Sequence, residues 1–156
     1  MMQLWELGYC LRLLRAQMRF GQLSRAPLRF LHIEVRDDTA RCDWIARAPD
    51  PWDDDLPPEG QAERASLQAL ADALAMRELL FQALPGVQRA TLRSFRHTGV
   101  EFPELIIEGN VSKRVEAPAR VSSIVMRALL SGFRFWLEKG ILRALDTPEP
   151  AFEHAI

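Results

Sequence analysis

Cysteine and histidine are scarce in this chain, and their scarcity removes several chemistries at once. Cys10 and Cys42 stand far apart with no paired motif, so no disulfide framework is expected. His32, His97 and His154 are scattered and do not combine with the cysteines into a zinc-ligand spacing. Neither a metal nor a cofactor is expected. Glycine never gathers into a phosphate-cradling loop or a dinucleotide fingerprint, and there is no nucleophile elbow. Long apolar runs are missing as well. The opening MMQLWELGYCLRLLRAQMRF is interrupted by Glu6, Arg12, Arg15 and Arg19, and its basic residues follow the apolar ones, the reverse of a secretory signal. Nothing approaches the ~18 uninterrupted apolar residues of a membrane span. A cytoplasmic protein with reduced thiols is the expectation.

Charge of either sign is also lacking in excess. A net charge of −1 supplies no basic field, so no nucleic-acid partner is expected. The local balance is less even. Residues 1–36 carry six Arg against two Glu, whereas residues 37–63 carry nine acids against two Arg, which is what segments folded against each other would show. At 156 residues the chain fits one domain, long enough to bury roughly two thirds of its unfolded surface.

What is present is periodicity. Leu4, Leu7, Leu11, Leu14 and Met18 recur at helical spacing, with Arg12, Arg15 and Arg19 on an adjacent face. LRFLHIEVRDDTARCDWIAR then reads as a β-hairpin turning at Asp37-Asp38-Thr39, with Trp44 in the core; one register pairs Arg36 with Asp43. A second helix is expected over residues 61–84, burying Leu67, Leu70, Leu74 and Phe81, and Pro85-Gly86 ends it. Strands follow over 89–96 and 104–111. A third helix is expected from Pro118, with Val121, Ile124, Val125, Ala128 and Leu129 inward and Ser131-Gly132 at its end. GFRFWLEKGILRAL reads as a tight hairpin about Lys139-Gly140.

The order is helix then hairpin, three times over, at a spacing of about 58 residues, which raises an internal repeat as one option and glycine-favouring helix ends as the other. The expected fold is α+β: a two-layer sandwich in which an antiparallel sheet of about six strands carries three helices on one face. Residues 1–146 form the single domain, 49–60 an acidic proline-rich loop within it, and 147–156 a flexible tail.

That loop holds the most unusual local composition, PDPWDDDLPPEG. Three consecutive aspartates without a glycine do not match a calcium loop, because successive side chains diverge. Asp53, Asp54 and Asp55 read instead as a connector, and with Trp52 as a contact for a protein partner. Arg12, Arg15 and Arg19 are the candidate contact for an anionic surface. His32 and Glu34 share a strand side, and His97 lies in a turn with Arg93, Arg96, Glu101 and Glu104 nearby, but no nucleophile or metal partner joins either group, so no catalytic residue is assigned.

From residue 61 to 145, ELIIEGNV followed by a helix and then SGFRF resembles the pattern of BON domains. The resemblance implies a module attached to phospholipid or a membrane surface. The additional strand 141–145, Pro103 and the long turn before it depart from that pattern, and the missing signal speaks against an envelope setting. The reading that follows is a non-catalytic protein-interaction module, a subunit or adaptor that self-associates as a homodimer. The alternatives are a lipid- or small-ligand-binding domain using apolar space between sheet and helices, or an enzyme with an unrecognised polar site.

Overall fold

The computed structural model describes residues 12, 29–48, 54–97, 99, 102–115 and 120–146. Within them run β1 (Arg29–Arg36), β2 (Thr39–Ile45), α1 (Pro58–Ala83), β3 (Arg89–Arg96), β4 (Glu104–Ser112), α2 (Ile124–Leu130), β5 (Phe133–Glu138) and β6 (Ile141–Arg143). The six strands lie side by side in chain order in one sheet. The α+β class is therefore as expected, with two corrections.

The first concerns strand direction. Every neighbouring pair is antiparallel except β2 and β3, which are parallel. Helix length explains this. The 26 residues of α1 extend about 39 Å, well over the length of β2, so the chain is carried back to the starting end before β3 begins. The seven residues of α2 extend only about 10 Å, so β5 returns from the end where β4 stopped and pairs antiparallel. The two crossovers are thus unlike, which removes the regularity that a repeat would carry.

The second correction is the helix count. Among the described residues two helices pack on the sheet, not three. The expected first helix lies outside the described residues except for Arg12, which is helical and exposed, and so does the expected tail. The last helix starts at Ile124 rather than Pro118. Ser123 caps it by accepting a hydrogen bond from the Met126 amide at 3.3 Å.

α1 begins at Pro58, earlier than residue 61, because a proline at the first helical position lacks only a donor that has no partner there anyway. Its buried stripe is Ser66, Ala69, Leu70, Ala73, Leu74, Met76, Arg77, Leu80 and Phe81. Leu67, expected inside, is 43% exposed. The stripe is widened by small and polar residues, which hides its centre from a count of leucines. Cys42, Trp44, Leu92, Ile107 and Val111 of the sheet close over it, with Ala128 of α2 and Phe133 of β5. Each fully buried leucine or methionine contributes about 1.5–3 kcal/mol. In α2 only Ala128 is buried; Leu129, expected inward, is about half exposed.

The hairpins are legible in their turns. Asp37 has a φ of 53°, and the two-residue turn sets Arg36 opposite Thr39, so the optional register that pairs Arg36 with Asp43 is not the one adopted. Lys139 and Gly140 both have positive φ, 55° and 80°, the geometry of a tight two-residue hairpin. Two irregularities are not legible. A register shift between Phe30 and His32 sends Phe30 toward the helices with Ile33 and Val35, while Leu31 joins Ile45, Phe95 and Leu105 in a second small cluster. Another, between Ser94 and Phe95, leaves Ile106 as the extra residue of β4, so Leu105, Ile106 and Ile107 are all buried.

Candidate functional site

Three strand ends meet at one end of the sheet: the start of β1 and the finishes of the parallel pair β2 and β3. The N-terminal half of α1 passes over them. Ala62, Ala65 and Ala69 recur at three- and four-residue steps and so share the helix face that looks down on this end. Because alanine stops at Cβ, a helix carrying it there leaves space where leucines would fill it. The result is a cleft of about 510 Å³ floored by Ala46, Ile106 and Leu142. That volume lies in the range of small-molecule sites.

Polar groups converge on the same cleft: Arg29, Arg47, Ser66, Arg96 and His97. Their engagements differ. Arg47 is buried, with Nε 3.0 Å from Asp72 Oδ2 and Nη2 donating to Oδ1 at 3.2 Å. The Gln68 amide donates to the same Oδ1 at 2.9 Å. Burial raises the Asp72 carboxyl above its ordinary 3.8, and the Arg47 guanidinium and Gln68 amide pull it part of the way back. Arg96 donates from Nε to Glu104 Oε1 at 2.8 Å, again to that oxygen from Nη2, and from Nη1 to the Leu142 carbonyl at 2.7 Å. Ser66 Oγ accepts from the Leu142 amide at 3.0 Å, which ties α1 to β6.

Arg29 and His97 are exposed at the cleft, and Arg29 makes no ion pair among the described residues. His97 Nδ1 accepts from the Gly99 amide at 3.2 Å, which places the proton of the neutral ring on Nε2 as a donor. Among the described residues no carboxylate lines the cleft directly. The arrangement offers apolar walls with guanidinium and imidazole donors, not an acid–base pair.

A second polar feature crosses the sheet. Register alone aligns His32, Asp43, Arg93, Glu108 and Arg134 over five adjacent strands. Arg93 donates to both oxygens of Asp43, at 2.9 and 2.6 Å, with side chains 3% and 1% exposed. Arg41 Nε lies 3.8 Å from the same carboxylate. Arg134 Nε donates to Glu108 Oε1 at 2.9 Å. The alternation of sign favours this register over any slip by one residue. The row is a structural clamp: its central members are paired and shut away from solvent.

The residues singled out from the sequence fall as follows. His32 Nε2 and Glu34 Oε2 are 3.5 Å apart, but Glu34 is shared with Arg36 at 2.9 Å and both lie away from the cleft. His97 and Arg96 do meet in it; Arg93 is turned instead to Asp43, and Glu101 lies outside the described residues. Asp54 and Asp55 are exposed just ahead of α1, while Trp52 and Asp53 lie outside the described residues, as do Arg15 and Arg19. Burial holds the Cys42 thiol well above its ordinary range, so it is no nucleophile. Among the described residues no group of three His, Cys, Asp or Glu side chains could hold a metal ion. No described helix is long and apolar enough to cross a membrane. Sequence reasoning missed the three alanines, Arg29, Arg47 and Asp72; the signal for the first was the A-x-x-A-x-x-x-A spacing itself.

No protein-family model, curated protein or solved structure matches this chain.

Proposed function

We propose that the protein is a non-catalytic binding module that takes a small amphiphile into the cleft under α1. The observation that carries this is the joint lining: eight apolar side chains, among them the three alanines of α1, and five polar ones, four of which are cationic or imidazole donors. An apolar pocket with a few convergent polar groups is the usual form of a small-ligand site. An enzymatic reading lacks support from the same residues. Ser66 is tied to β6 by accepting from Leu142, and no hydrogen bond joins it to His97 among the described residues.

Ala65 is half-buried, so a phenylalanine there fills the cleft at little cost to the core. Calorimetric titration with a twelve-carbon amphiphile below its micellar concentration should show saturable binding to the unmodified chain and none to Ala65→Phe. Equal binding by both proteins would reject the cleft as the site.

The partner-module reading keeps one specific support, the outer side of α2. Met126, Leu129 and Leu130 are each about half exposed there, an apolar patch on a short helix. Self-association through that patch would appear as a dimer in sedimentation velocity, and a monomer at every concentration removes this reading.

A further inference from the structure

We infer that the cleft is selective for a singly charged carboxylate head group, held by Arg29 and His97; this rests on the cleft reading above. Three guanidinium groups line the cavity, but two already have a carboxylate of their own. Arg47 is held by Asp72 and Arg96 by Glu104. Arg29 has no such partner among the described residues, and it is exposed. Among the described residues one uncompensated positive charge therefore remains beside a largely apolar cavity. His97 adds a neutral donor, because its Nδ1 is occupied by the Gly99 amide and its proton is left on Nε2.

A guanidinium fork and one further N–H suit the two oxygens of a carboxylate, which accept in a plane. Charge count points the same way. A single negative charge is balanced by Arg29, whereas a phosphate monoester dianion would carry one charge more than that guanidinium offsets. A neutral head group would forgo the charge-assisted bonds that Arg29 can donate. The alkyl portion then runs between Ala62, Ala65 and Ala69 above and Ala46 and Ile106 below. The class of ligand is a medium-chain or long-chain carboxylic acid.

The test compares dodecanoate, dodecanol and dodecyl phosphate on the full chain by calorimetry, with Arg29→Ala, Arg29→Lys and His97→Ala beside the unmodified protein. A charge-assisted pair should give dodecanoate about a tenfold advantage over dodecanol. Arg29→Ala should bring the two to parity, Arg29→Lys should restore part of the preference, and His97→Ala should lower it about threefold. Parity in the unmodified protein, a preference that survives Arg29→Ala, or tighter binding of the phosphate would each overturn the carboxylate assignment while dodecanol still reports a working cleft. If none of the three amphiphiles binds, the cleft reading falls with it.

Discussion

Replacing Asp43 by asparagine should be among the most damaging single changes of shape-conserving kind. The substitution keeps the volume, removes the charge and turns one acceptor oxygen into an amide donor. Arg93 then loses the carboxylate that accepts both of its bonds, at 2.9 and 2.6 Å, in a place where the two side chains are all but inaccessible. Arg41, 3.8 Å from the same oxygen pair, is left facing Arg93 with like charge. Breaking a buried pair from one side costs about 3–5 kcal/mol because the surviving ion loses its counter-charge where water does not reach it, and the Arg41 charge places this case at the upper end. For a chain of this size that is roughly a third or more of the whole stability. Urea unfolding followed by tryptophan fluorescence, to which buried Trp44 contributes, measures it: the midpoint should fall with the slope unchanged. Each kcal/mol corresponds to about 2–4 °C in Tm. Removing both charges together, Asp43→Leu with Arg93→Met, should recover most of the loss, since an apolar pair of similar volume needs no compensation. An Asp43→Asn protein within about 1 kcal/mol of the parent, or a double variant less stable than the single one, would refute the claim that desolvation of an unpaired ion dominates here.

Two further outcomes are expected. Gly109→Ala should destabilise by about 1–3 kcal/mol in the same urea assay, the range for overpacking. Its new Cβ would lie 2.5 Å from the Phe133 ring, which packs on the glycine from the neighbouring strand, and Phe133→Leu should partly relieve the conflict. Asp72→Asn should change the pH dependence of stability. The Asp72 carboxyl titrates higher in the folded protein than its ordinary 3.8, so between those two values the folded state binds more protons than the unfolded one. Its contribution therefore falls as pH rises through that window, opposite to the usual carboxylate, and the variant should lose this negative slope. A slope unchanged by the substitution would contradict the raised value.

How far the sequence reached depended on whether a feature was local. Both tight turns are local: Asp37-Asp38 and Lys139-Gly140 carry residues that accept positive φ, and each hairpin closes where its turn chemistry placed it. The strands 89–96 and 104–111 were equally plain, because four or more residues of strand-forming type lie between breakers. Leu67 and Leu129 went wrong for a related reason. Helical spacing identifies a stripe but not its centre, and the true centre of α1 runs through Ser66, Ala69 and Ala73, which hydrophobicity undervalues. The bulges at Leu31 and Ile106 add a residue to one strand only, and nothing in either strand alone announces its partner's register.

The cleft belongs to the second kind of information. His97 and Arg96 were visible as a polar turn, yet Arg29, Arg47 and Ala62 sit at distances in sequence that only the crossover makes short. The amino-acid sequence by itself determined the elements: six strands, a long helix and the Pro85-Gly86 that ends it, two hairpin turns, and a chain without metal-ligand spacing. Tertiary structure alone decided that a helix long enough to cross the sheet would make β2 and β3 parallel, bringing their ends and the start of β1 together beneath three alanines. Side chains that are small create space only where a neighbouring element holds them away from the floor, and which charges remain unbalanced there depends on which carboxylates the fold has already assigned to their arginines.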